Sequence, residues 1–320
     1  MSAAPPLIER PVATPQSRNK PTAPAPAWLV AAAFAVVYVV WGSTYLGIRV
    51  AIESMPPFLM AGGRFVIAGA ILYAVMRLRG AARPTAVHWR DAAIIGGLLL
   101  VLGNGGLSWA ELRVPTNIAA LMVAGTPLWM IVIDWLRPRG RRPHGLVFAG
   151  LALGFAGVGL IVMSRDAHGH GVVNFACAVM LLTASLSWAA GSIYSRHARQ
   201  PHSALLAVAM QMLAGGGLML LTGLALGETE NWQWQEITAR SAGAFAYLTL
   251  IGSLVAFPCY VWLLQVSTPA RVSTYAYVNP LIAVVLGWIV LKEPLPAGVV
   301  AAGTLILAAV VLITVKGRAR

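Results

Sequence analysis

Charge is scarce in this chain, and acid most of all: 10 Asp and Glu stand against 23 Lys and Arg in 320 residues. Charged residues make up 10% of it, where soluble domains carry about a quarter. With 58% hydrophobic residues and a mean hydropathy of +0.76, a soluble protein is excluded. The chain is that of an all-α, multi-spanning membrane protein. Cysteine is almost missing. Cys177 and Cys259 each lie in an apolar run without a CxxC, so there is no disulfide framework and both read as small hydrophobes. No HExxH and no nucleophile–base pattern is present, so neither a catalytic centre nor a cofactor is expected. The GNGG at 103–106 lies inside an apolar stretch with no strand before it, which removes a nucleotide reading. His168 and His170 alone are too few for a metal site.

What is present is apolar sequence in long runs. Residues 1–27 hold seven prolines with Arg10, Arg18 and Lys20, and read as a disordered basic cytoplasmic tail without the core of a signal peptide. Ten spans follow, near 28–49, 57–77, 91–111, 115–136, 144–164, 171–195, 202–226, 241–265, 271–291 and 295–315. Each is long enough for a bilayer core of about 30 Å. The 227–240 connection, with Trp232 and Trp234, reads as an interfacial surface loop. Residues 316–320 form a short C-terminal tail.

The excess of basic residues is a topology signal rather than a nucleic-acid footprint. With the N-terminus inside, 17 of the 23 Lys and Arg fall on the inner side, while Arg113, Arg165, Arg240 and Lys292 fall outside. Both termini are therefore expected in the cytoplasm.

A faint internal repeat organises the spans. A shift of 153 residues puts Pro280 on Pro127, Leu281 on Leu128, Trp288 on Trp135, Pro296 on Pro143, Gly298 on Gly145 and Gly303 on Gly150. Residues 28–164 and 171–315 then form two repeats of five spans. An odd number of spans per half forces opposite orientations, the inverted design of secondary transporters. Pro127 and Pro280 each remove a backbone donor at membrane depth and are the expected helix bends.

Several residues carry a resemblance. Trp41-Gly42-Ser43-Thr44-Tyr45, the Arg64-Phe65 pair, and TYAYVNP at 274–280 followed by Glu293 resemble the drug/metabolite transporter superfamily. Within it the chain resembles the ten-span EamA branch of inner-membrane metabolite exporters, from Ala32 to Val315. The resemblance implies a bilayer, a small solute and efflux. The RPRGRRPH turn at 137–144 lacks the acid that the corresponding turn holds as Glu293, so no role of Glu293 is carried back to the first half.

Depth selects the candidate residues. Trp41 lies 13 residues past Trp28, about 20 Å up from the inner face, and Trp188 has the mirrored depth in the sixth span. Tyr45, Asn104 and Trp109 fall in the outer half, while Tyr275, Tyr277 and Asn279 fall between the inner end and the midplane. These eight, with Arg64 about 10 Å below the outer surface, are the expected solute contacts. The bland alternative for each is interhelical packing. Arg64 either meets a substrate carboxylate or pairs with Glu53 or Glu111, and Arg49 is expected to pair with Glu53 at i+4. Glu111 is the candidate for proton coupling, whereas Asp134 reads as a partner of Arg137. The resulting reading is a transporter of a small metabolite, amino-acid-like or drug-like solute by alternating access. Uptake is the alternative within transport, and a ligand-binding membrane sensor the alternative outside it.

Overall fold

A computed structural model describes residues 26–136, 145–163, 173–230, 232–267 and 275–316. Within them the chain is helical, without a strand. The helices are α1 (Ala27–Ala51), α2 (Pro57–Leu78), α3 (Ala86–Ala110), α4 (Thr116–Leu136), α5 (Gly145–Met163), α6 (Phe175–Ser195), α7 (Ala204–Ala225), α8 (239–266), α9 (Tyr275–Leu291) and α10 (Ala297–Lys316). Seven of these are long and apolar enough to cross a membrane by themselves; α5, α9 and α10 contribute shorter apolar runs. Large apolar side chains such as Val39, Leu221 and Trp288 stay exposed on their outer faces, as lipid-facing surfaces require.

The packing is that of two inverted halves. α1 packs on α8 and α9, and α6 packs on α3 and α4. Exchanging the halves turns the first set of contacts into the second. The pairs α2–α7 and α5–α10 are their own images under the same exchange. Small residues set how closely the helices cross: a Cβ on Gly96 of α3 would sit 2.7 Å from both Gln211 O and Gly215 N of α7. Any larger side chain there must push two backbones apart.

Helix starts are satisfied in two ways. Thr85, Asn174, Ser203 and Thr238 cap α3, α6, α7 and α8 through their own side chains. Pro56 and Pro115 offer no such acceptor before α2 and α4. Distant glutamates take over. Glu228 accepts from Phe58 N at 3.1 Å and Leu59 N at 2.9 Å, and Glu293 accepts from Thr116 N at 2.6 Å and Asn117 N at 3.0 Å. An anion at a helix N-terminus meets both free N–H groups and the positive end of the dipole.

Three helices depart from regular geometry. α4 is interrupted at Ala124 and Gly125, immediately before Thr126 and Pro127, and Thr126 Oγ1 donates to the freed Val123 O at 2.7 Å. α9 runs on through Pro280 without interruption. α3 and α8 each contain a nine-residue π-helical stretch, Gly97–Gly105 and Leu248–Ala256, a feature absent from the sequence reading.

Candidate functional site: a cavity between the two halves

The two π-helical stretches occupy matching places in the two repeats. One extra residue per turn turns the following side chains onto a different face, and such stretches often sit at functional sites. Here each delivers a glycine and a small polar residue to the same central cavity, Gly103–Asn104 from α3 and Gly252–Ser253 from α8. Carbonyls in both stretches are claimed by serine hydroxyls. Ser187 Oγ of α6 donates to Leu98 O at 2.8 Å, and Ser253 Oγ donates to Leu248 O at 3.1 Å.

The cavity has a volume of about 190 Å³. Its polar end is built around Arg64, 3% exposed, whose Nη2 donates to Asn104 Oδ1 at 2.6 Å. The guanidinium also lies 4.4 Å from the centre of the Phe65 ring, a favourable position for a cation over an aromatic face. Thr126 stands on the wall of the cavity and shares a 3.1 Å hydrogen bond with Ser185 of α6.

Part of the wall is aromatic. The Trp41 ring lies 5.3 Å from Phe257, 4.9 Å from Tyr260 and 5.2 Å from Tyr275, and Tyr260 meets Tyr275 edge-on at 5.7 Å. Ring pairs at these separations and tilts hold one another in place beyond simple burial. With its amide turned to face acceptors, Asn279 donates to Tyr275 O and to Tyr38 O, both at 3.2 Å. It thereby ties α9 to α1 at the edge of the cavity.

Of the sequence-predicted residues, Trp41, Tyr45, Arg64, Asn104, Trp188, Tyr275 and Asn279 line this cavity, with Pro127 and Pro280 beside them. Trp109 does not. Its ring lies 5.2 Å from the Arg113 guanidinium, against the core and away from the cavity. The side chain of Tyr277 lies outside the described residues, as do Arg137, His168 and His170. Arg64 is hydrogen-bonded to Asn104 and, among the described residues, not to a carboxylate. The expected Arg49–Glu53 pair is also corrected: Arg49 Nη1 donates to the Glu111 backbone carbonyl, and Glu53 meets Arg240 at 3.4 Å. The helix turns Arg49 toward α3 and leaves Glu53 at the surface, where the cation of α8 is nearer.

Sequence reasoning missed Thr126, Ser253, Phe257 and Met130. Under the 153-residue repeat Asn104 falls on Phe257 rather than on Ser253, so the repeat held no signal for Ser253. Among the described residues no cluster of His, Cys, Asp or Glu forms a metal centre.

Residues 27–163 and 175–315, one match for each half, fit the EamA-like transporter family. The chain belongs to that family. This EamA-like transporter is 38% identical over 264 residues to the inner membrane transporter YedA of Escherichia coli K12, with 81% of each chain covered. It is 25% identical over 287 residues to the transporter YvbV of Bacillus subtilis 168, covering 89% of this chain and 92% of that one. A solved crystal structure superposes with a TM-score of 0.62 over 90% of this chain and 97% of the other at 20% identity, a likeness of fold. As a member of this family the protein is a membrane transporter of a small solute, working within a lipid bilayer.

Proposed function

We propose that this protein exports a small amphipathic metabolite across the inner membrane by alternating access, with both termini in the cytoplasm. The observation that carries the reading is the cavity itself. It lies between two inverted halves, and its lining combines a buried guanidinium and amide with a cluster of aromatic rings. A solute with a carboxylate or similar anionic group would set it against Arg64 and Asn104, whose planar donors suit that geometry. Its apolar body would rest against Trp41, Phe257 and Tyr275.

Size narrows the class. Pockets for drug-sized ligands run to about 300–1,000 Å³, and 190 Å³ favours a metabolite of amino-acid size over a drug. No bond changes in this mechanism. Interactions with the cavity wall replace water around the solute, and rocking of one half against the other switches its exposure. The inner-membrane assignment is supported by the relative YedA, and the cytoplasmic termini by the distribution of Lys and Arg.

The test compares metabolites in the medium around cells overproducing the intact protein, Arg64→Gln or Trp188→Ala, at matched membrane levels. A compound enriched outside only with the intact protein, and moved by it across reconstituted vesicles, establishes export. If no compound differs in the medium and none moves across vesicles, the reading fails.

A further inference from the structure

Glu111 follows the last turn of α3 and is fully buried, and neither carboxylate oxygen has a hydrogen-bond partner among the described residues. The charged groups that act on it come from every side: Arg49 of α1, Arg64 of α2, and Glu293 from the turn between α9 and α10. Tyr45 of α1 feels its charge as well. Yet the cations are engaged elsewhere. Arg49 bonds the backbone carbonyl of Glu111 and not its carboxylate. Arg64 bonds Asn104 through Nη2, while its buried Nε has no partner among the described residues. A charged carboxylate buried without hydrogen bonds is among the costliest arrangements a fold can hold.

We infer that Glu111 is a proton-binding site whose occupancy decides whether Arg64 is free to hold an anionic solute, an inference that rests on the transport reading above. Two arrangements follow from the geometry. With a proton from water on the Glu111 carboxylate, Arg64 turns to Asn104 and the cavity, as seen here. With that proton returned to water, the ionised Glu111 draws the guanidinium toward itself, and Asn104 and the cavity lose their cation. Only an O–H bond forms or breaks, and Arg64 keeps its charge throughout. By linkage, an anion on Arg64 favours the proton on Glu111 by the same factor that the proton favours the anion. The two bind as an electroneutral pair.

The experiment needs no solute. Purified full-length protein in lipid nanodiscs is titrated with pH while the infrared band of protonated carboxyl groups is recorded. The intact protein is expected to show a carboxyl band at neutral pH that Glu111→Gln lacks and Glu111→Asp restores. In Arg64→Gln the band should persist to higher pH, by about one unit or more, because a nearby cation that favours the ionised form is gone. A folded Glu111→Gln with the same band as the intact protein overturns the inference. If that variant does not fold, an Arg64→Gln titration identical to that of the intact protein overturns it equally. Either negative result leaves the transport reading standing, since that reading is decided by solute movement across vesicles.

Discussion

Replacing Gly287 by alanine should destabilise this transporter only while Glu293 is present. The turn after α9 sets Lys292 in the left-handed region at φ 56°, a conformation unusual for a residue other than glycine. It returns Glu293 N to Gly287 O at 3.1 Å and folds the carboxylate back across Gly287 onto the start of α4. There the two oxygens cap Thr116 and Asn117, and Asn117 Nδ2 donates to Pro294 O at 3.2 Å. Glu293 is 9% exposed, and a Cβ on Gly287 would fall on its Oε2.

The magnitudes can be worked from these contacts. Hydrogen bonds to charged groups contribute about 1.5–3 kcal/mol each, and stranded buried donors cost a similar amount. Glu293→Ala, which loses both, should cost about 3 kcal/mol. Gly287→Ala displaces the oxygen on Asn117 and should cost about 2 kcal/mol, offset by the roughly 1 kcal/mol that alanine gains over glycine in a helix. The net effect is about 1 kcal/mol of destabilisation. In a Glu293→Ala background only the helix gain remains, so the same substitution should stabilise by up to about 1 kcal/mol. The sign reverses, with a coupling of about 2 kcal/mol between the two positions. Unfolding of the four proteins in detergent micelles, followed by tryptophan fluorescence, measures that coupling. Additive effects would show that Glu293 does not cap α4 and would refute the reasoning.

Other outcomes follow from the same structure. Glu228→Ala removes the acceptor for Phe58 N and Leu59 N and should lower stability by about 1 kcal/mol, while Glu230→Ala in the same loop serves as the control. Gly96→Ala should cost about 1–3 kcal/mol in the same unfolding assay, because its Cβ meets the backbone of α7 rather than a side chain that can move. Trp188→Ala should reduce solute flux in reconstituted vesicles at matched protein levels, since the ring lines the cavity. Trp109→Ala, beside Arg113 and away from the cavity, should leave flux unchanged at matched protein levels.

Much of the cavity lining was legible because membrane depth makes polar residues conspicuous. An arginine or asparagine well inside an apolar run has few tolerable environments, and a shared wet cavity is one of them. Arg64, Asn104 and Asn279 were found on that ground, and Trp41 with Trp188 through their mirrored depths. The same reasoning overreached at Trp109, because depth says nothing about which side of a helix faces inward. It also missed Ser253, whose direction depends on the π-helical stretch of α8. Hydroxyls are common in apolar helices, where they bond their own backbone, so Ser253 and Thr126 carried no distinguishing mark.

Composition and the spacing of apolar runs determined that this is an all-α membrane protein, and the 153-residue repeat with an odd number of spans determined that its halves are inverted. Those properties depend on hydropathy and length, which a linear sequence holds in full. The partners were decided only in three dimensions: Glu293 with the start of α4, Glu228 with the start of α2, Arg64 with Asn104, and Glu111 among cations that bond elsewhere. Each contact joins residues 40 or more positions apart, and its energy arises from geometry and burial that exist only after the helices have packed.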